Sequence, residues 1–220
     1  MKGGNTNFSQ FTRWRQRAIV RFMAILKIAR MGHPMLMRVA EPIADPQAPE
    51  IGQLIADMID TLADAAGAGL AAPQVHIPLR LVMFHVPDAR ARAEDGESAE
   101  SCPFTVLINP EIETLSDDTG DDAVAGLAGD MVDGLEACLS LPGLAGIVPR
   151  HSQIHYRGLT PLGETIERRA HGFHARVVQH ECDHLDGILY PMRMRDLSKL
   201  SFTSELSRSE SEEEQEDSER

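Results

Sequence analysis

Two histidines and a glutamate in the stretch QHECDHLDGILY, residues 179–190, are spaced for metal chemistry. On a helix, residues i and i+4 share a face, so His180 and His184 can offer two imidazoles to one ion. Glu181 lies beside such an ion without binding it, where it can take a proton from an activated water and pass it on. The bland alternative is a surface helix with two unrelated histidines. A third ligand is needed, and the downstream candidates fail. Tyr190 stands where HExxHxxGxxH sequences place a third histidine, and the first later glutamate, Glu205, borders a charged tail. Upstream, LEACLSLPG, residues 135–143, sets Cys138 in an apolar, strand-like segment before a turn. A thiolate and two imidazoles leave a fourth position open, as catalytic sites require. Cys182 is a rival, but it faces away from the histidine pair and reads better as a small buried hydrophobe. Nothing marks Cys102, beside Pro103, as a ligand.

Elements must hold these groups in place. Residues 173–187 read as a helix, with Phe173, Val177, Val178 and Leu185 among its apolar positions and Gly187 at a left-handed cap. Ile51, Leu54, Ile55, Met58, Ile59 and Leu62 have helical spacing, with Gly67 and Gly69 to end that helix. Residues 79–86 and 104–112 read as strands. Residues 147–159 read as another, followed by a turn at Pro161–Gly163 and a hairpin partner, ETIERRAHG. Residues 91–101 and 116–130, rich in Gly, Ser and Asp, read as loops. The expected fold class is α+β, with antiparallel strands packed around a central metal-binding helix that carries HExxH.

The chain of 220 residues can bury a real core. No apolar run approaches the ~20 residues of a membrane helix, so a soluble protein is expected. Three widely spaced cysteines do not form a disulfide framework and suit a reducing compartment. Charge is uneven. Residues 1–40 hold eight Lys/Arg and no Asp/Glu, residues 41–200 hold 26 acidic against 11 basic, and residues 201–220 hold eight acidic against two Arg. An acidic body argues against a general nucleic-acid binder and against specific DNA recognition. The expected organisation is a basic leader or extension at 1–22, dispensable for catalysis, a catalytic domain at 23–200 and an acidic disordered tail at 201–220. The leader has the composition of a mitochondrial transit segment, and it also fits a bacterial chain whose true start is Met23.

Three stretches, in order, resemble one family. GAGLAAPQV (residues 67–75), EACLS (136–140) and QHECDH (179–184) are similar to the Gly-x-Gly-Leu-Ala-Ala-x-Gln, Glu-Gly-Cys-Leu-Ser and Gln-His-Glu-x-Asp-His motifs of the peptide deformylases. LKIARMGHPMLMRVAEPI looks like the family's usual opening, and the resemblance spans residues 23–196. It implies removal of the formyl group from N-formylmethionine of newly made polypeptides, with release of formate. It implies one divalent metal, typically Fe(II), with zinc, nickel or cobalt able to occupy the site. An accessible thiolate on iron would be sensitive to oxygen and peroxide.

By that resemblance Cys138, His180 and His184 hold the metal, and Glu181 moves the proton. The Gln74 side chain and the Leu139 backbone N–H stabilise the oxyanion. Gly67, Ala68, Gly69, Glu136, Ala137 and Val177 meet the substrate, which lies extended beside residues 136–139. Phe173 is a further pocket candidate whose bland reading is core, and Asp183 either orients a neighbour or is a solvated charge. Two departures stand out. Ala137 replaces the motif's glycine, which a positive φ would penalise, and Ala145 stands where many members have an arginine. The expected partners are N-formylmethionyl nascent chains and the ribosome surface, in a bacterial cytoplasm or, alternatively, a mitochondrial matrix. Rival readings are a metallopeptidase, a cysteine hydrolase pairing Cys138 with His151 or His155, and a deformylase-like binding module.

Overall fold

The computed structural model describes residues 24–96, 99–114 and 131–206. The expected leader at 1–22, the loop at 116–130 and the tail beyond residue 206 lie outside the described residues. The architecture is α+β with antiparallel sheets. Helix α1 is Pro49–Ala65, β1 Gly69–Ala71, β2 Leu81–Val86, α2 Asp88–Asp95, β3 Cys102–Thr114 and β4 Met131–Ala137. Strands β5 Leu144–His151, β6 Gln153–Leu159 and β7 Thr165–His171 follow, then α3 Gly172–Leu185 and β8 Leu200–Phe202. One sheet has the order β1-β2-β3-β6-β7 and a second the order β4-β5-β8.

Alternation along β2 explains the layering. Val82, Phe84 and Val86 join α3 residues Ala175, Val178 and Leu185 in one core. Leu81 and Met83 point the other way, into a core with Ile51, Ile55, Met58 and Leu62 of α1. Successive strand side chains face opposite sides, so the larger sheet is buried between α1 and α3. Helix α3 also touches β5 of the smaller sheet.

Several local expectations need correction. The strand expected at 147–159 is two strands in different sheets, broken at Ser152. Gln179 of α3 stabilises that crossing, because its amide accepts from the His151 N–H (3.1 Å) and donates to the His151 carbonyl (2.9 Å). Part of the loop expected at 91–101 is helix α2, whose Asp95 accepts from the Phe173 N–H (2.8 Å) and so caps α3 from a distance. The left-handed residue that ends α1 is Ala66 (φ 50°), ahead of Gly67. Ser201 and Phe202, assigned to the tail, belong to β8 and pair with Ala145 and Leu144. At the end of α3, Gly187 has φ 72°. The Gly187 N–H reaches the His184 carbonyl (3.4 Å) and the Ile188 N–H the Asp183 carbonyl (2.9 Å), the double bond of a Schellman cap.

Candidate functional site

Helix α3 places His180 and His184 one turn apart, their rings 5.1 Å between centroids and both buried. Strand β4 ends at Ala137, and the turn behind it presents Cys138 to the helix. The Leu141 N–H closes that turn on the Cys138 carbonyl (2.9 Å). Cys138 Sγ and one ring nitrogen each from His180 and His184 lie within 4.8 Å of one another, a group that could hold a metal ion. The Cys138 thiol is 3.3 Å from His184 Nε2.

Orientation comes from the groups behind. His180 Nδ1 pairs with Glu136 Oε2 (2.8 Å), which turns the other ring nitrogen toward the thiol. Burial disfavours charge on His180, yet hydrogen bonds with Cys138 and Glu136 outweigh it and hold its proton well above the usual imidazole range. Burial, aided by the neighbouring His180 charge, drives His184 well below that range and leaves a neutral imidazole, the form that coordinates. Burial also opposes ionisation of Glu136, but hydrogen bonds from His180 and Arg150 win and bring its carboxyl down to about 2. Arg150 grips Glu136 with two nitrogens (2.8 and 3.0 Å) and also bonds Asp183. Arg193 closes on Asp183 from the other side (2.7 Å). Asp183 is therefore a paired, buried charge rather than a solvated one.

Glu181 is buried, and its Oε2 has no hydrogen-bond partner among the described residues. Burial pushes its carboxyl up to about 7. A buried carboxylate oxygen without a partner calls for an explanation. Gly69 packs directly on this carboxylate, and a Cβ there would overlap it. Gln74 is locked: its Oε1 accepts from the Ala71 N–H (2.8 Å), while Nε2 donates to Ser140 Oγ (3.2 Å) and lies 3.5 Å from Cys138 Sγ. The amide donor thus faces the thiol. The N-terminal segment ties the two turns together, since the Ala29 N–H bonds the Gln74 carbonyl (2.7 Å) and the Met31 N–H the Ser140 carbonyl (2.8 Å).

The remaining expected residues fall as follows. Ala137 is exposed strand and is absent from the positive-φ residues, so alanine replaces the motif glycine without backbone strain. Ala145 is buried opposite it. Gly67 lies against the side chains of Leu62 and Leu139. The Ala68 carbonyl accepts from the His85 N–H (2.9 Å). Val177 and Phe173 pack on the α3 core, and the Arg90 guanidinium lies 5.2 Å above the Phe173 ring. Cys182 is in that core, where burial pushes its thiol well up, and Cys102 is buried at the start of β3. Tyr190 is buried and stacks on His180 (6.3 Å between centroids). His155 pairs with Glu113 and Glu167 on the larger sheet, so the imidazole beside the thiol is that of His184. Sequence reasoning missed Arg150, Arg176 and the clamp by Gln179. The Gln before the first motif histidine was a usable signal for the last of these, whereas an arginine in the apolar strand β5 and one on α3 gave none.

Fold and donors together describe an HExxH helix faced by a cysteine from the turn after a neighbouring strand. A family model described as Polypeptide deformylase matches residues 25–200. Peptide deformylase 1 of Bordetella pertussis is 50% identical over 179 residues, 81% of this chain and 93% of that protein. Peptide deformylase 2 of Ralstonia nicotianae is 50% identical over 182 residues, 83% of this chain and 94% of that protein. A crystal structure of a class I type b peptide deformylase from Acinetobacter baumannii, bound to Met-Ala-Ser, is similar with a TM-score of 0.66 and 33% identity. It covers 79% of this chain and 100% of its own. The chain belongs to the polypeptide deformylase family, metal-dependent enzymes that remove the formyl group from nascent peptides. No described helix is long and apolar enough to cross a membrane.

Proposed function

We propose that this chain removes the formyl group from the N-formylmethionine of newly made polypeptides and releases formate. The observation that carries the reading is the convergence of Cys138, His180 and His184 within 4.8 Å, with the buried Glu181 carboxylate beside them. In this reading α3 is the central element around which the strands are arranged. Cys138, His180 and His184 hold one divalent ion, Fe(II) in the cell, and zinc, nickel or cobalt suit the same donors. The ion supplies Lewis acidity that makes water a nucleophile at neutral pH.

The chain's own groups do the rest. Glu181 takes the water's proton at Oε2 and later gives it to the leaving amine. Gln74 Nε2 and the Leu139 N–H donate to the oxyanion that develops on the formyl oxygen. The substrate lies extended along β4 at Glu136 and Ala137, with Gly67, Ala68 and Gly69 on its other side. Val177 contributes to the methionine pocket. Strand β4 pairs only with β5 among the described strands, which leaves an edge for such a peptide. The site of action is the bacterial cytoplasm. Contact with ribosomal RNA would use the basic N-terminal residues, because the C-terminal residues are acidic. Deleting residues 1–22 is expected to weaken ribosome co-sedimentation, and unchanged co-sedimentation would remove that segment from the account.

The test of function is a comparison of formyl-Met-Ala-Ser with unblocked Met-Ala-Ser, using anaerobically purified protein. Formate release that a chelator stops, without cleavage of the unblocked peptide, is expected. Cleavage of both peptides would favour the metallopeptidase reading, and turnover that survives chelation would favour the cysteine hydrolase.

A further inference from the structure

Arg176 sits on α3 one turn before His180, yet its side chain does not point to solvent. Its Nη2 donates to the Val132 carbonyl (2.8 Å). Its Nη1 reaches the Val148 carbonyl (2.7 Å), the Gly134 carbonyl (3.4 Å) and Glu136 Oε1 (3.0 Å). Gly134 and Val148 are direct cross-strand partners, so one guanidinium spans both strands of the β4–β5 ribbon. Position 134 has to be glycine for this, because a Cβ there would lie 2.5 Å from Arg176 Nη2. Residues 132, 134 and 136 share one face of β4, the face turned to α3. An arginine suits the task, since its planar fork offers several donors at fixed angles.

We propose that Arg176 is a positioning residue for substrate docking: its guanidinium fixes the edge strand β4 against the metal-bearing helix, at the spacing an extended peptide needs. This rests on the reading of β4 as the strand beside which substrate lies. Among the described strands β4 has one neighbour, and its other tie to α3 is the Glu136–His180 hydrogen bond near the strand's end, so Arg176 is what fixes the stretch before it, at Val132 and Gly134. Glu136 keeps Arg150 and His180 when Arg176 is removed. The metal donors therefore survive, and the loss falls on peptide docking.

The experiment compares Arg176→Met, Arg176→Lys and Gly134→Ala with the wild type in the metal-loaded enzyme. It uses a formylated tetrapeptide and formylmethionine amide, with metal content and Met-Ala-Ser binding measured on the same samples. For Arg176→Met, KM for the tetrapeptide is expected to rise about tenfold, as for loss of a charge-assisted hydrogen-bonding group. KM for formylmethionine amide should move less than about twofold, with metal content unchanged. Arg176→Lys should recover part of the loss. Gly134→Ala should reproduce it, and the double variant should be no worse than Arg176→Met alone. Equal KM changes for both substrates, or unchanged KM with only a lower Tm, would overturn the proposal and leave Arg176 a stabilising clamp. Met-Ala-Ser binding that depends on Arg176 in a wild-type protein that releases no formate would overturn the proposed reaction and leave this inference standing.

Discussion

At position 69 the absence of a side chain is what gives Glu181 its place. The carboxylate occupies the space a Cβ would fill. If Glu181 carries the proton as proposed, Gly69→Ala is expected to displace it and lower kcat by roughly 100-fold or more, the usual scale of general acid–base catalysis. Metal content should be unchanged, and loss of metal instead would show that the overlap is relieved through the histidines. Arg150 is the second informative residue. It neutralises Glu136 and Asp183 together in a buried setting. Arg150→Ala leaves two buried carboxylates short of a partner, and urea unfolding should show a loss of about 3–5 kcal/mol. A loss under ~1 kcal/mol, the scale of an exposed pair, would mean that Arg176, His180 and Arg193 suffice. The grouping of Cys138 with His180 and His184 was legible in the sequence from residue type and spacing, whereas Gln74 entered only through the family resemblance. Arg150 was not legible, because strand alternation predicts an apolar residue at a buried position and says nothing of a charge that two acids from distant segments neutralise.

Among the elements, the long, strongly periodic ones were legible and the junctions were not. Helix α1 announces itself by apolar spacing, strands β2 and β3 by runs bounded by Pro, Gly and Asp, and the β6–β7 hairpin by the turn at Pro161–Gly163. The passage from β5 to β6 does not, because both strands are apolar and only one residue, Ser152, separates them. What splits them is tertiary: Gln179 takes both main-chain groups of His151. Helix α2 was hidden for a related reason. Its sequence, DARARAED, has no apolar stripe, and its support comes from Arg90–Glu94 (2.8 Å) and from contacts to α3. Because α3 has no side-chain cap of its own, Asp95 serves it from outside. Asp95→Ala is expected to cost about 1 kcal/mol of stability and to raise hydrogen exchange at the first turn of α3 before that at His180. Uniform exchange along the helix would contradict a local capping role.

For the molecule as a whole, the candidate metal-binding group lies where the two sheets meet. Cys138 follows β4 of the smaller sheet, and α3 packs on the larger one. An ion bound to Cys138, His180 and His184, as proposed, would cross-link them and stabilise only the folded form. Stripping it should lower Tm, by an amount equivalent to about 4 kcal/mol when free metal had been near a thousand times its Kd. An unchanged Tm would mean that the three donors do not share an ion. The charge asymmetry between residues 1–40 and the rest was fully legible from composition, whereas the meeting of two sheets at one cysteine was not, since it depends on a contact between residues 46 positions apart. The most direct test of the account is formate release from formyl-Met-Ala-Ser by wild type and Glu181→Gln, with metal counted in the same samples. The account predicts about one metal per chain in both proteins and turnover lowered at least ~100-fold in the variant. A variant that keeps its turnover would contradict it, and so would a wild type with a full complement of metal and no formate release.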